Sequence, residues 1–286
     1  MVIPVFRNVE TLAELIERLR SLSSTLKGEL EAVFVVDGSP DQSFTRLSEL
    51  LPASGLKAQL LSLSRNFGSF AAIRAGLAAG RGEHFAVMAA DLQEPAELVL
   101  RFHEELSGRG ADVVVGTRQK RHDPGAGRIY SAIFWWLYRR LVQSDVPAGG
   151  VDVFGCSREV RDSLCALGER NSSLVGLLFW LGYRRVEIPY ERLERKSGRS
   201  GWSFRRKVQY LLDSVFSFSD LPIKLLFWAG VGGLLLSLIF AVVVAVARIG
   251  GFVAVPGYSA TVIALCFFGG LNCFGLGVIG GYVWRT

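Results

Sequence analysis

The chain has 286 residues, a formal net charge of +6 and a mean hydropathy of +0.33. That hydropathy is high for a sequence with 20% charged residues, which excludes a disordered protein and a small disulfide scaffold. The charges are distributed unevenly, because residues 221–286 contain no Asp or Glu and have only Lys224, Arg248 and Arg285 as cations. We therefore expect a globular domain of about 220 residues, followed by a membrane module.

In chain order, the hydrophobic pattern predicts strands that alternate with helices. The predicted strands are short apolar runs at 2–6, 32–36, 58–63, 85–89 and 112–115. The predicted helices have apolar residues at helical spacing and cover 10–26, 44–51, 68–79 and 97–106. This alternation predicts an α/β domain with a Rossmann-type, mostly parallel sheet.

Polar residues follow the predicted strands at the edge where ligands of parallel sheets usually bind. They are Asp37, Ser39, Asp41, Arg65, Asn66, Asp91, Gln93 and Arg118. Acids and bases at one edge favour a phosphorylated substrate held with a divalent cation. A glycine-rich dinucleotide fingerprint and a P-loop are both missing, and the four cysteines show no CxxC spacing. We therefore expect neither of those nucleotide sites, no zinc and no disulfide.

Five motifs occur in an order that resembles glycosyltransferase family 2. They are VIPVF at 2–6, VVDGSPD at 35–41, SRNFG at 64–68, ADLQEP at 90–95 and VGTR at 115–118. Within that family the pattern resembles the polyprenyl-phosphate glycosyltransferases, a group that includes dolichyl-phosphate mannose synthase and the bactoprenol glucosyltransferases. RKSGRSGW at 195–202 resembles the bacterial members with two membrane spans. The resemblance covers essentially the whole chain.

This resemblance implies a GT-A-like fold and an inverting transfer of a monosaccharide. The donor would be a nucleotide-diphosphate sugar (UDP or GDP), and the acceptor a polyprenyl phosphate, undecaprenyl phosphate, for cell-envelope glycan assembly or modification. The donor-binding residues implied are Pro4, Phe6, Glu10, Asp37, Ser39, Asp41, Asn66, Gly68, Asp91 and Gln93. Asp91 and Gln93 would also hold Mg²⁺ or Mn²⁺ at the pyrophosphate.

The acceptor side is implied by the same resemblance. The acceptor phosphate would be bound by Arg118, Arg128 and Ser131, with Arg205 and Arg206 near the membrane. The implied catalytic residues are Asp91, Arg118 and Asp152, where Asp152 binds the sugar or acts as a weak base. Because a phosphate monoester is anionic at neutral pH, we expect positioning and charge stabilisation to matter more than a general base.

One residue departs from the family pattern. The family usually has Asp-x-Asp before Leu-Gln, and Ala89 stands at the first position here. This leaves open an alternative, a catalytically weak or inactive membrane-bound scaffold that binds sugar nucleotides. A processive polysaccharide synthase is disfavoured, because the sequence lacks a Gln-x-x-Arg-Trp motif and has only two predicted spans.

Two uncharged stretches, 225–247 and 258–284, predict a hairpin of transmembrane helices. Arg205, Arg206, Lys207 and Lys224 precede the first stretch, which predicts a cytoplasmic domain and cytoplasmic termini at the inner (plasma) membrane. The predicted organisation is a catalytic domain at 1–194, an amphipathic juxtamembrane segment at 195–222 and the hairpin at 223–286.

Two further segments, 130–140 and 202–218, have the composition of helices at a membrane interface, although each could instead cover the sheet. Small residues recur every four positions in both predicted spans, which favours close helix packing in the hairpin or in a homo-oligomer. The expected partners are thus a nucleotide sugar, a polyprenyl phosphate lipid and a membrane, and we expect no nucleic acid.

Overall fold

A computed structural model describes most of the chain. The described residues are 1–108, 110–118, 134–147, 150–168, 173–193, 204–219 and 258–283, with scattered positions between 221 and 250. Within these ranges seven strands form one sheet, in the order β3-β2-β1-β4-β6-β5-β7. They are β1 (Val2–Val5), β2 (Glu31–Asp37), β3 (Lys57–Leu63), β4 (His84–Val87), β5 (Val113–Arg118), β6 (Phe154–Ser157) and β7 (Arg185–Tyr190).

The sheet is mostly parallel, as predicted. β1 pairs in parallel with β2 and β4, β2 with β3, and β5 with β7. β6 is antiparallel to both of its neighbours, β4 and β5. The sequence pattern did not predict β6 or β7.

Helices cover both faces of this sheet. The first four are α1 (Leu12–Thr25), α2 (Ser43–Ser54), α3 (Ser69–Ala79) and α4 (Ala96–Ser107). They are followed by α5 (134–141), α6 (Arg158–Ala166), α7 (Leu174–Trp180), α8 (Phe204–Phe218) and α9 (Tyr258–Val283). The first four lie within about two residues of the predicted ranges, except that α2 extends three residues beyond its predicted end.

Successive residues of β2 face the helix layers on opposite sides of the sheet. Val33 and Val35 belong to the core on the face covered by α3, α6 and α7, while Phe34 and Val36 belong to the core on the face of α1 and α2. Side chains of a strand alternate between faces, so a strand buried on both sides must be apolar throughout. This is why the run at 32–36 predicted a central strand correctly.

The predicted interfacial segment at 130–140 has an inward-facing side. Within α5, Tyr138 is fully buried and its ring stacks on that of Tyr210 from α8, with centroids 5.7 Å apart. Trp136 is 60% exposed, and Arg139 and Arg140 are exposed as well. α5 therefore packs on the domain through Tyr138, as the alternative of a sheet-covering helix predicts, and its exposed side chains leave a membrane contact as a prediction.

The two C-terminal helices contact each other through Tyr282. Its hydroxyl donates to the backbone oxygen of Ser219 at 2.9 Å, and its ring lies 6.0 Å from that of Phe216.

α9 contains 26 residues and coincides with the second predicted span, whereas most of the first span, 225–247, lies outside the described residues. In the described part of the chain, no helix qualifies by length and hydropathy as a membrane span. The transmembrane hairpin therefore stays a prediction.

Candidate functional site

The carboxyl ends of β1, β2, β4, β5 and β7 lie at one edge of the sheet, because these strands run in the same direction. β6 runs the opposite way, so the residues that precede it lie at this edge too. Asp152, two residues before β6, therefore joins Asp37, Asp91 and Arg118 at the edge that the sequence predicted as the binding site.

Side-chain hydrogen bonds join the loops that follow β1 and β2. The Ser39 Oγ accepts from the backbone N–H of Arg7 at 2.8 Å and donates to Asp41 Oδ1 at 2.6 Å. The Asp41 carboxylate also accepts from the backbone N–H groups of Val9 at 3.3 Å and Ser43 at 3.2 Å. Burial on its own would raise the pKa of Asp41, but these hydrogen bonds outweigh it and lower that pKa. Asp41 is thus an ionised residue that holds two loops together.

Asp37 is almost completely buried at the end of β2. Its Oδ1 accepts from the backbone N–H of Phe67 at 2.8 Å, and its Oδ2 from that of Gly68 at 2.9 Å. Gly38 has a φ of +54°, and a Cβ there would lie 2.2 Å from the carbonyl carbon of Arg65, so only glycine fits. The structure therefore uses Asp37 to position the loop before α3, and its contact with the donor stays a prediction.

Four other predicted donor-binding residues surround these loops. Pro4 and Phe6 are half-buried, while Glu10 and Asn66 are exposed. Arg7, which the sequence analysis did not single out, has a φ of +58°, and its guanidinium lies 5.4 Å from the ring centroid of Phe6. Arg7 adds a cation beside the predicted nucleotide loops.

The chain turns sharply after β4, at Leu92. This residue has a φ of +60° although its side chain is buried. Such a conformation costs about 1 kcal/mol or more for a residue other than glycine and tends to occur at binding sites. Around it, Gln93 donates its backbone N–H to Asp91 Oδ1 at 3.3 Å, and Thr11 Oγ1 donates to the Ala90 oxygen at 2.7 Å. The strained turn holds Asp91 and Gln93 at the sheet edge.

The segment after β7 is fastened to this turn. Leu193 donates its backbone N–H to the Gln93 oxygen at 2.9 Å, and Gln93 Nε2 donates to the Leu193 oxygen at 3.3 Å. Arg192 Nη2 donates to Gln93 Oε1 at 2.5 Å and lies 4.0 Å from Asp91 Oδ2. A guanidinium therefore covers both residues that were predicted to hold a metal. The sequence analysis did not identify Arg192.

Arg118 and Asp152 form an ion pair at the end of β5. Their side chains are 16% and 36% exposed, respectively, so the arginine is the more buried partner. Tyr190 lies opposite Arg118 in the β5–β7 register. Burial and the negative charge of Glu94 raise the pKa of Tyr190, and the positive charge of Arg118 opposes them. Two of the three predicted catalytic residues thus lie together, beside a buried tyrosine.

Glu94 lies between the two groups of charges. It is 3% exposed, and its Oε2 has no hydrogen-bond partner among the described residues. Burial raises its pKa to about 7; the charge of Asp91 also raises it, while Arg192 and Arg118 lower it. Buried carboxylates without full hydrogen bonding are costly and concentrate at functional sites. In the sequence, Glu94 is visible only as part of the ADLQEP motif.

Comparison with known proteins agrees with this geometry. The sequence model of the family described as "Glycosyl transferase family 2" matches residues 1–161, which is more than half of the chain. The chain belongs to this family. A Bacillus subtilis protein named as a glycosyltransferase, CsbB, is 33% identical over 288 residues, covering 100% of this chain and 86% of its own. This glycosyltransferase is thus similar to that relative along its whole length.

Relatives with a more specific name are similar over the same extent. The bactoprenol glucosyl transferase of Shigella phage SfX is 29% identical over 286 residues, covering all of this chain and 93% of its own. A solved mycobacterial protein shares the fold with a TM-score of 0.53 at 21% identity, over 76% of this chain and 72% of that chain. Mannosyl-3-phosphoglycerate synthase from Rubrobacter xylanophilus also has a TM-score of 0.53, at 17% identity over 75% and 70%. The GT-A-like α/β prediction is confirmed for the sheet domain.

The turn after β4 contains the oxygen ligands that a small divalent cation prefers. Over the described residues no group of three or more His, Cys, Asp or Glu could hold a metal. Oxygen donors are nevertheless present in Asp91, Gln93 and Glu94, whose Oε2 has no partner among the described residues, and Mg²⁺ is commonly bound through one or two carboxylates plus substrate phosphates. Cation binding therefore stays a prediction that the donor set supports.

Several predicted acceptor residues cannot be compared with the structure. Arg128 and Ser131 lie outside the described residues, as do the side chains of Arg205 and Arg206 at the start of α8. Arg192 and Glu94 are the residues that the structure adds to the site, next to Asp91 and Gln93. The sequence has no local signal for Arg192, because its partner Gln93 lies 99 residues earlier in the chain.

Proposed function

We propose that this glycosyltransferase transfers a monosaccharide, with inversion, from a UDP- or GDP-sugar to a polyprenyl phosphate, undecaprenyl phosphate. The product is a lipid-linked sugar for assembly or modification of a cell-envelope glycan. The observation that carries the proposal is the charge cluster in which the acidic turn at Asp91 lies next to the Arg118–Asp152 ion pair. In such a site the Arg118 guanidinium can bind an anionic acceptor, and the acidic turn at Asp91 lies beside that guanidinium on the donor side.

The proposed roles follow from this placement. Arg118 binds the acceptor phosphate through its bidentate fork, and Asp152 orients the guanidinium. One phosphate oxygen attacks the anomeric carbon, the bond from that carbon to the diphosphate breaks, and the nucleoside diphosphate leaves with the bonding electrons. Because the attacking oxygen is already anionic, alignment and charge stabilisation dominate. Mg²⁺ or Mn²⁺ bound at Asp91 and Gln93 would supply positive charge to the diphosphate.

A lipid acceptor is supported by the relatives and by exposed apolar side chains. Proteins named bactoprenol glucosyl transferase are similar to this chain over its whole length. Val208 and Leu212 on α8 are 41% and 51% exposed, and Trp136 and Trp228 are exposed as well. Tryptophans and apolar side chains of this kind favour a membrane interface. The uncharged stretches at 225–247 and 258–284 favour a transmembrane hairpin at the inner membrane, with the sheet domain in the cytoplasm.

Sugar transfer can be tested with the full chain in membranes or detergent. Radiolabelled UDP- and GDP-sugars are supplied with undecaprenyl phosphate and Mg²⁺ or Mn²⁺, and label is counted in an organic-extractable, mild-acid-labile product. We expect one donor to give product, and Asp91→Ala and Arg118→Ala to abolish it. Glu97→Ala and Arg184→Ala remove the same charges at exposed positions and are expected to keep full activity.

The same assay separates the enzyme from a catalytically weak scaffold. Ala89 motivates the scaffold alternative, since a carboxylate that the family pattern contains is missing. A scaffold would bind a nucleotide sugar in calorimetry without forming labelled lipid from any donor. Turnover with one donor, lost in Arg118→Ala, would exclude the scaffold. Binding without turnover across the whole donor panel would exclude the proposed enzyme.

A further inference from the structure

The missing carboxylate at position 89 has a neighbour that can take its place. Ala89 and Glu94 are at the two ends of the turn that contains Asp91 and Gln93. The backbone N–H of Ala89 lies close enough to the Glu94 carboxylate to lower its pKa, so the glutamate side chain is near Ala89 across the turn. Its carboxylate therefore lies at the residue whose own side chain, a methyl group, has no oxygen.

The surroundings of this carboxylate indicate a ligand rather than a structural contact. Glu94 is 97% buried, yet Oε2 accepts no hydrogen bond from any described residue. In contrast, both oxygens of the buried Asp37 accept backbone N–H groups. Most buried polar side-chain atoms have a partner, and an exception calls for an explanation such as a bound ion.

A second carboxylate lies close to the first. Asp91 is near enough for its charge to act on Glu94, and the positive charges of Arg192 and Arg118 also act on it. Two neighbouring carboxylates repel each other, and a divalent cation bound between them would remove this repulsion. Their oxygens, with that of Gln93, form the hard donor set that Mg²⁺ and Mn²⁺ prefer.

We propose that Glu94 supplies the carboxylate ligand that Ala89 lacks, so that Asp91 and Glu94 together hold a divalent cation at the donor diphosphate. This inference rests on the proposed function, since the diphosphate provides the remaining oxygen ligands. The two acidic ligands are then at positions 91 and 94 and not at positions 89 and 91. An alanine at position 89 is therefore compatible with catalysis.

Metal binding itself tests the proposal. The full chain in detergent is titrated with Mn²⁺ in the presence of UDP or GDP, and free Mn²⁺ is measured by electron paramagnetic resonance. Glu94→Gln keeps the shape of the side chain and removes the charge, and we expect Mn²⁺ affinity to fall about tenfold or more. Ala89→Asp in the Glu94→Gln background should restore affinity to within about threefold of the original chain.

The control is Glu97→Gln, an exposed glutamate three residues further along, which should leave Mn²⁺ affinity unchanged. Thermal unfolding of each variant shows whether it is folded. The proposal is overturned if Glu94→Gln binds Mn²⁺ within twofold of the original chain, or if a folded double variant does not recover affinity. Sugar transfer that continues in a chelator, without Mn²⁺ binding by the original chain, would overturn this inference and leave the proposed function standing.

Discussion

The two sides of the sheet edge differ in how far their polar groups satisfy one another. On the donor side, Asp37, Ser39 and Asp41 have hydrogen-bond partners supplied by backbone N–H groups and by each other. In the charge cluster around Asp91 and Arg118, Glu94 is as deeply buried as Asp37 but has an oxygen without a partner among the described residues. Asp37 and Glu94 are thus equally buried, but they differ in how many of their carboxylate oxygens accept a hydrogen bond.

This difference distinguishes two roles of an acidic motif residue, one in loop structure and one in ligand binding. A carboxylate that accepts two backbone N–H groups stabilises the loops that shape a pocket, and its loss mainly lowers stability. A buried charge with incomplete hydrogen bonding lowers stability in the free protein and is retained for a ligand. We therefore expect substitutions in the charge cluster to reduce activity more than stability, and substitutions in the loops after β1 and β2 to do the reverse.

The largest effect is expected for Arg118→Ala. The variant loses the guanidinium that is proposed to bind the acceptor phosphate, so the transfer rate should fall about 1,000-fold, equivalent to about 4 kcal/mol. Arg118→Lys should recover little of this, because an ammonium cannot reproduce the bidentate fork. The initial rate of labelled lipid formation at saturating donor is the measurement.

Arg184→Ala is the matched control for Arg118. Arg184 also pairs with an aspartate, Asp112, through two hydrogen bonds of 2.9 and 3.0 Å, but it is exposed at the start of β7, away from the site. An exposed pair contributes little to stability and nothing to the site, so we expect a normal rate. If Arg118→Ala keeps a rate within threefold of the original chain, the acceptor side is placed wrongly.

The next effect concerns the pH dependence of stability. Burial raises the pKa of Glu94 to about 7 in the folded chain, above the ordinary value of 4.5, so the folded state binds more protons between these values. The unfolding free energy should therefore fall as pH rises from about 4.5 to 7 or 8, by up to about 3 kcal/mol from this group. Glu94→Gln should remove that decrease when unfolding is followed by denaturant titration in a chelator.

The pH comparison uses difference curves, because other groups titrate in both proteins. Subtracting the curve of Glu94→Gln from that of the original chain isolates the contribution of Glu94. A flat difference between pH 5 and 8 would mean that the carboxylate is already satisfied, as Asp37 is. The contrast between the two sides of the edge would then disappear.

The sequence predicted the loops after β1 and β2 better than the charge cluster, for a physical reason. β2 and the loop with Asp37 are local features, since a buried strand must be apolar throughout and its polar end follows directly. Arg118 and Asp152, in contrast, meet because β6 runs antiparallel beside β5. Arg192 reaches Asp91 through the pairing of β5 with β7, far along the chain.

Burial is the second property that the sequence could not provide. Glu94 was visible in its motif, but only the packing of the turn against its neighbours makes it an interior carboxylate. Composition also left two possibilities open for α5, a helix at a membrane interface or a helix that covers the sheet. Tyr138 from this helix lies in the core because α8 supplies Tyr210 as its stacking partner. Such long-range partners leave no periodic signal in the sequence.

On the donor side, Asp37→Asn should lower stability by about 2 kcal/mol. The amide group of asparagine would face one of the two backbone N–H groups that the carboxylate now accepts, so at least one donor loses its partner. Unfolding of the full chain in detergent gives the measurement. The transfer rate of the folded fraction should stay within about fivefold, equivalent to about 1 kcal/mol. An unchanged unfolding midpoint with a strongly raised KM for the donor would instead assign Asp37 to ligand contact.

The smallest effect is expected for Ser39→Ala, about 1 kcal/mol of stability. The hydroxyl accepts from Arg7 and donates to Asp41, so its loss removes one of the links between the loops after β1 and β2. Ser48→Ala is the matched control, because Ser48 only donates to Thr45 on an exposed helix face, and its effect should be near zero. Unfolding midpoints compare the two variants. If Ser39→Ala is as harmless as Ser48→Ala but raises the KM for the donor, the hydroxyl serves the ligand and the donor loops are less self-contained than their hydrogen bonds indicate.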